Sequence, residues 1–244
     1  MRPQMVSYLF LAALLLILER DRAVPGSRAR WFIPPLMLVW ANCHAAFMAG
    51  VSVLLATLAG AAIDAWLRRQ ALDPVDGPLP SGHQVIRSGT HAAGDGHQPQ
   101  RLLLPALLAI LATWVNPYGP AIFVYPFTLL SHNSMINFVQ EWFSPNFHTS
   151  EMRWFELCLF LVPAALLISR RPRRAADLML ALFWAHQALQ SQRHVPIFLF
   201  LMLPLLADHL SGAGERLVEW WRVEGVRAGK GAAAPVSYTH LRAH

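Results

Sequence analysis

Apolar residues gather into seven runs along the chain, and stretches rich in proline, glycine or arginine separate these runs. Several runs are shorter than the ~20 residues that a membrane span needs, so their helices must begin earlier or draw polar flanks into the bilayer. The pattern predicts an all-α fold, a polytopic transmembrane helix bundle. The predicted membrane segments cover residues 5–18, 31–49, 51–67, 102–115, 154–169, 175–191 and 195–207.

The stretch from Asn116 to Glu141 does not fit this pattern of long apolar helices. It breaks at Asn116-Pro117-Tyr118-Gly119, continues as a short aromatic-rich segment and closes on Glu141-Trp142-Phe143-Ser144-Pro145. Its prolines and glycine forbid one continuous helix, and the segment is too short to span a bilayer. We predict a re-entrant or interfacial segment. Irregular backbone at membrane depth needs protein or water as a partner, so the stretch should border a cavity.

Composition and charge support a membrane protein and give it an orientation. The chain is 55% hydrophobic and only 14% charged, with a formal net charge of +6. Most arginines lie between apolar runs, where they set orientation rather than bind nucleic acid. An external amino terminus leaves only three arginines outside, namely Arg2, Arg153 and Arg193, and places the basic loops in the cytoplasm. The polar residues near membrane depth then share the external face.

The pair Arg193 and His194 is the strongest candidate for binding chemistry. A guanidinium group offers a fixed fork of donors to a phosphate or pyrophosphate, and histidine can add a donor or exchange a proton. Gln187, Gln190 and His194 lie on one side of the 175–191 helix if that helix continues far enough. Alternatively, Arg193 snorkels to the surface and His194 caps the helix before Pro196.

Other polar residues on the predicted external face leave several interpretations open. His44 could donate to a bound sugar or bond a neighbouring carbonyl, at the outer end of a helix that turns at Gly50. Glu141 could be a general base, an acceptor for sugar hydroxyls or an ion-pair partner. The aromatic residues are more typical of a membrane-interface belt than of a sugar platform. These aromatic residues are Tyr118, Tyr125, Trp142 and Trp154.

Two acids on the inner side are expected to be structural, since Asp64 can pair with Arg68 and Asp177 lies in the first turn of its helix. The loop 72–100 has no apolar period and is predicted to be disordered. No phosphate-binding loop or zinc spacing occurs, so we expect no cofactor and no metal. We divide the chain into a transmembrane bundle (1–210), a cytoplasmic interfacial or flexible tail (211–234) and a sequence scar (235–244). The scar resembles the translated adapter tail VSYTHLRAH.

Five short motifs, taken in order, resemble the carboxy-terminal half of a bacterial family of GT-C-like membrane glycosyltransferases. That family is similar to protein O-mannosyltransferases and the lipid A aminoarabinose transferase. The resemblance covers roughly residues 1–210, and the chain departs from the family's Asn-x-His-Gly-Gly-Phe by having Ala45 and Ala46 for the paired glycines. The motifs are Arg2-Pro3-Gln4, Trp40-Ala41-Asn42-Cys43-His44, Asn116-Pro117-Tyr118-Gly119, Glu141-Trp142-Phe143-Ser144-Pro145 and Arg193-His194-Val195-Pro196.

The resemblance implies an enzyme of the bacterial inner membrane that takes a sugar from a polyprenyl-phosphate donor on the external face. The family's acidic base would precede Met1, so the catalytic residue stays unknown, with Glu141 as the candidate, and the chain alone is expected to be inactive. Membrane lipid and the donor are the expected partners. A transporter or lipid flippase, or a non-catalytic membrane partner, is the alternative. The expected substrate-binding residues are Arg2, Gln4, Asn42, His44, Asn116, Glu141, Gln190, Arg193 and His194.

Overall fold

The computed structural model describes residues 4–24, 26–72, 99–124, 128, 139–169, 171–211 and 214. Within these ranges the secondary structure is helical, with short 3-10 turns and no strand, which confirms the all-α prediction. The helices are α1 (Gln4–Ala23), α2 (Ile33–Cys43), α3 (Phe47–Leu72), α4 (Pro99–Ala112), α5 (Arg153–Ile168), α6 (Ala175–Gln190) and α7 (195–211).

The predicted segment 31–49 is wrong, because two helices occupy it. His44 adopts an extended conformation (φ −162°, ψ 139°), which ends α2. The backbone N–H of Ala46 then donates to Nδ1 of His44 at 3.2 Å, so a side chain takes the place of a helical carbonyl in the turn. The turn therefore lies at His44, and Gly50, which was expected there, belongs to α3. Pro34 causes no break, since it lies in the first turn of α2.

The interior of the bundle is apolar, and much of its exterior is apolar as well. Leu14 and Trp40 are fully buried, whereas Leu9, Phe160 and Leu167 are about 70% exposed at 70%, 69% and 71%. Large contiguous apolar surfaces are rare on soluble proteins and are ordinary on surfaces that face lipid. The outward apolar side chains thus fit a bilayer environment.

Two of the described helices have the length and composition of a membrane span. They cover Phe47–Gln70, with mean hydropathy 1.8, and Gln192–Ser211, with mean hydropathy 1.5. They overlap the predicted membrane segments 51–67 and 195–207. These two spans support a membrane protein at the coarse level, while the count of seven stays a prediction.

Helices α3 and α6 approach closely at their predicted cytoplasmic ends. A side chain at Gly60 would overlap the backbone of Ala176, so only glycine allows this approach. One turn further along α3, Asp64 accepts a hydrogen bond from the backbone N–H of Ala175 at 3.2 Å. A carboxylate at a helix N-terminus also opposes the positive end of the helix dipole. The structural role expected for Asp64 is therefore exerted on another helix, rather than through the predicted partner Arg68 on its own helix.

Ion pairs join elements at this same end of the bundle. Arg30 lies 3.4 Å from Asp21 and links the start of α2 to the end of α1, and Arg171 lies 3.7 Å from Asp208 near the end of α7. The loop 73–98, most of the aromatic-rich segment and everything beyond residue 214 lie outside the described residues. The prediction for the scar falls there, and so do most of the loop predicted for 72–100 and most of the tail predicted for 211–234. Residues 72, 99, 100, 211 and 214 are described and are helical.

Candidate functional site

A cavity of about 190 Å³ opens at the other end of the bundle, where α1, α3 and α7 begin and α2 and α6 end. This end is the predicted external face. Alanine and methionine side chains from α3 and the preceding turn form part of its wall. Its polar and aromatic lining consists of Gln4, Ser7, Tyr8, His44, Trp142, Trp184, Arg193 and His194.

Arg193 is positioned by two loops that bond to each other. Ser191 adopts an extended conformation that ends α6, and its Oγ donates to the carbonyl oxygen of Glu141 at 2.9 Å. The backbone N–H of Gln192 donates to the carbonyl oxygen of Phe143, also at 2.9 Å. These bonds bring the guanidinium carbon of Arg193 to 5.1 Å from the centre of the Trp142 ring, within cation–π range.

His194 is held by one backbone carbonyl and two indole rings. Its Nδ1 lies 3.2 Å from the carbonyl oxygen of Gln187 in the last turn of α6. Trp142 and Trp184 both meet the imidazole edge to face, at centroid distances of 6.3 and 5.9 Å. The indole N–H of Trp184 donates to Oγ of Ser52 at 3.1 Å, so the residue against which His194 packs is itself fixed.

His44 ends a short chain of hydrogen bonds that starts in the core. The indole N–H of buried Trp40 donates to Oγ of Ser7 at 3.1 Å, and that Oγ lies 2.9 Å from Nδ1 of His44. His44 lies in the turn between α2 and α3, outside both candidate spans. Burial, followed by the positive charge of Arg193, lowers the pKa of His44 from its ordinary value. The neutral imidazole is therefore favoured.

The structure brings four predicted site residues, Gln4, His44, Arg193 and His194, around this one cavity. A fifth, Glu141, lies beside it. Glu141 belongs to the 3-10 turn Gln140–Trp142, next to Trp142 of the cavity lining.

The other four predicted residues bond to the backbone, lie away from the cavity or lie outside the described residues. The amide of Asn42 donates to the carbonyl oxygens of Leu38 and Val115, both at 2.8 Å, which ties the ends of α2 and α4 together. The side chain of Asn116 closes its own turn, accepting from the backbone N–H of Tyr118 at 2.7 Å. Gln190 is exposed at the end of α6, and Arg2 lies outside the described residues.

The predicted polar stripe that joined Gln190 to His194 along one helix is wrong. Because α6 ends at Gln190 and Ser191 is extended, His194 belongs to a separate 3-10 turn. His194 still reaches the cavity, but through the turn that also presents Arg193. Helical spacing could not predict this geometry, since the break occurs at a serine with no proline or glycine signal.

Sequence reasoning missed Ser7 and Tyr8 altogether and assigned Trp142 to an interfacial belt. A signal for the first two was present, because Gln4, Ser7 and Tyr8 follow the i, i+3, i+4 spacing of one helix face. Tyr118 and Trp154, also assigned to the belt, are 69% and 70% exposed and away from the cavity. Trp142 differs because the loop that carries it folds back over Arg193.

No group of three or more potential metal ligands occurs among the residues that the structure describes. The arrangement is instead one of a cation, two imidazoles, a phenol and two indoles. Such a set can bind an anionic group and a flat or hydroxylated neighbour. No family model, curated protein or solved structure matches the chain.

Proposed function

We propose that the protein forms part of a membrane glycosyltransferase and that its cavity holds the phosphate of a polyprenyl-phosphate-linked sugar. The observation that carries this proposal is the placement of Arg193 over Trp142, in one cavity with His44 and His194. A bundle of about seven membrane segments, with the run 31–49 divided between α2 and α3, and an external position of the cavity complete the proposal. They rest on the apolar runs and the arginine asymmetry of the sequence.

The chemistry of the cavity suits a phosphate ester. A guanidinium group has five N–H donors, so the placement of Arg193 over the Trp142 ring leaves donors for a phosphate. His44 lines the same cavity as Arg193, so a bound phosphate can receive hydrogen bonds from more than one side. A second positive charge is not required for this, since a neutral imidazole still donates through one nitrogen.

The dimensions suit a headgroup. A volume of about 190 Å³ is smaller than the roughly 300–1,000 Å³ of pockets for drug-sized ligands, so the polyprenyl chain would lie outside it, in the bilayer. The apolar exterior of α1 and α5 provides a surface for such a chain. Trp142, Trp184 and Tyr8 supply the aromatic faces and the hydroxyl group against which a sugar ring can pack.

Passage of a ligand across the bundle, as in a transporter or flippase, has less support. Between the cavity and the opposite end, the described interior is filled by buried apolar side chains such as Leu11, Leu14, Met37 and Leu54. A polar headgroup crossing this region would lose its hydrogen bonds. The cavity is therefore better suited to binding at one face.

The test is the affinity of the purified protein for a fluorescent short-chain polyprenyl phosphate in detergent micelles, before and after Arg193→Lys. Lysine keeps the charge but loses the planar fork of donors. Hydrogen bonds to charged groups contribute about 1.5–3 kcal/mol, so we expect Arg193→Lys to weaken binding by at least roughly tenfold.

Arg153→Lys is the matched control. Arg153 is exposed at the start of α5, is predicted to lie on the same face and does not line the cavity. We expect its lysine variant to bind as the wild type does. Equal losses in the two variants, or no loss at Arg193→Lys, would contradict phosphate binding by the cavity.

A further inference from the structure

The two histidines of the cavity have different partners at the same ring atom. In both residues a backbone group contacts Nδ1, and the identity of that group fixes which nitrogen carries the proton. For His44 the backbone partner is an N–H group, and for His194 it is a carbonyl oxygen. The two rings must therefore be opposite tautomers when both are neutral.

The proton positions around His44 follow from groups that can only donate. The N–H of Ala46 needs a lone pair on Nδ1. The indole N–H of Trp40 occupies a lone pair of Ser7 Oγ, and the hydroxyl proton of Ser7 can then point to Nδ1 of His44. With two donors aimed at Nδ1, the ring proton of neutral His44 is on Nε2. His44 thus offers a hydrogen-bond donor.

The opposite holds for His194. A carbonyl oxygen can only accept, so the bond to Gln187 requires a proton on Nδ1 of His194. In the neutral ring this leaves the lone pair on Nε2. His194 thus offers a hydrogen-bond acceptor.

We infer that the cavity is divided into a phosphate side, formed by Arg193 and the Nε2–H of His44, and a hydroxyl side, formed by the Nε2 lone pair of His194. This inference rests on the proposed function and extends it, because it assigns each histidine a separate role toward the ligand, one as a donor to the phosphate and one as an acceptor from a neighbouring hydroxyl group. Ser7 and Trp40 are positioning residues for the His44 ring, and Ser7 also lines the cavity. A simple alkyl phosphate satisfies the first side and leaves the second without a partner.

The tautomers can be measured directly on the wild-type protein. In the full chain labelled with ¹⁵N-histidine, the two ring nitrogens of each cavity histidine give separate NMR signals, which His44→Gln and His194→Gln assign by their loss. At neutral pH we expect protonated Nε2 in His44 and protonated Nδ1 in His194. The same tautomer in both residues, or the reverse pair, would overturn the inference.

Ser7→Ala tests the positioning chain, and the protein contains a matched control. Ser52 accepts a hydrogen bond from the indole N–H of Trp184 just as Ser7 does from Trp40, but it has no contact with His44. Because the N–H of Ala46 still needs the lone pair on Nδ1, we expect His44 in Ser7→Ala to stay protonated on Nε2 but to show a shifted Nδ1 signal, since Nδ1 has lost one of its two donors. We expect Ser52→Ala to leave the His44 signals unchanged. An unchanged His44 spectrum in Ser7→Ala would contradict the positioning role.

Ligand preference is tested with hexose 1-phosphate and butyl phosphate as probes, by calorimetric titration. A neutral hydrogen bond contributes about 0.5–1.5 kcal/mol, so hexose 1-phosphate should bind roughly 2- to 10-fold more tightly than butyl phosphate. His194→Phe should abolish that ratio, and His44→Phe should weaken both probes and preserve it. Equal affinities in the wild type would overturn the division of the cavity. Binding of neither probe would overturn the phosphate side, and the proposed function with it, even if the two tautomers were as expected.

Discussion

At the scale of single residues, His44 combines a structural bond with a place in the cavity, and this makes the protein sensitive to acid. Its folded pKa is lowered by burial and by Arg193, while the unfolded value is near 6.5. As the pH falls below that value, the unfolded chain takes up a proton that the folded protein resists. The stability supplied by neutral His44 is present above the unfolded pKa and is lost as the pH falls toward the folded one.

We therefore expect the thermal midpoint of the solubilised protein to fall between about pH 7.5 and about pH 5.5, on either side of the ordinary histidine value. His44→Gln cannot titrate, so its midpoint should fall less over the same interval. Thermal unfolding followed by intrinsic tryptophan fluorescence measures both proteins. Other groups near the cavity, including His194, Tyr8 and Glu141, are common to both and cancel in the comparison. Identical pH dependence in the two proteins would rule out this role for His44.

Single residues also show which parts of the candidate site could be predicted from the sequence and which could not. Arg193 and His194 could be identified as candidates from the sequence because charged residues at membrane depth are costly. The same cost explains why they face a cavity rather than lipid. Asn42 and Asn116 were equally polar in the sequence but bond to backbone carbonyl or N–H groups. Only the three-dimensional position of those backbone groups separates a structural asparagine from a binding one.

At the scale of elements, the contact between α3 and α6 depends on Gly60. An alanine in a helix interior is normally favourable by roughly 0.5–1 kcal/mol over glycine, but here its Cβ would overlap the backbone of Ala176. The backbone of Ala176 cannot move aside as a side chain can, so the cost of this overlap should exceed the gain in helix propensity. We expect Gly60→Ala to lower the free energy of unfolding by about 1–3 kcal/mol.

Chemical denaturation in mixed micelles measures this change. Ala62→Ser, at an exposed position in the same helix, is the control and should stay within about 0.5 kcal/mol of the wild type. A stabilised Gly60→Ala variant would mean that the two helices are further apart than the structure shows.

The helices also show why apolar runs predict the presence of a helix better than they predict where it begins and ends. The helices α1, α3 and α5 were predicted correctly, since a long apolar run can be recognised even when its register is slightly wrong. The end of α2 at His44 was missed, because a histidine side chain provides the hydrogen bond that completes the turn. The α6 cap by Asp64 was missed for a related reason, as its partner at Ala175 is 111 residues away in the chain.

At the scale of the whole molecule, the polar cavity and the interhelical ion pairs occupy opposite ends of an apolar bundle. Arginine asymmetry predicts that the cavity end faces outward. Cys43 is exposed at that end, next to His44, whereas Cys158 is buried in α5. The chain therefore contains a natural reporter of orientation.

A membrane-impermeant maleimide applied to intact cells should label the wild-type protein and should not label Cys43→Ser. Exposed thiols react as thiolates, while a buried thiol is protected. Labelling of Cys43 only after the membrane has been permeabilised would reverse the predicted orientation. It would also place the cavity on the cytoplasmic side.

The most direct test of the account is the position of the phosphorus atom in a structure of the protein bound to a short-chain polyprenyl phosphate. We predict that the phosphate lies in the cavity, within hydrogen-bonding distance of the Arg193 guanidinium and of Nε2 of His44. The opposite end of the bundle, with Arg30 and Arg171, offers the competing cationic site. A phosphate bound there, with the Arg193 cavity empty, would contradict the account.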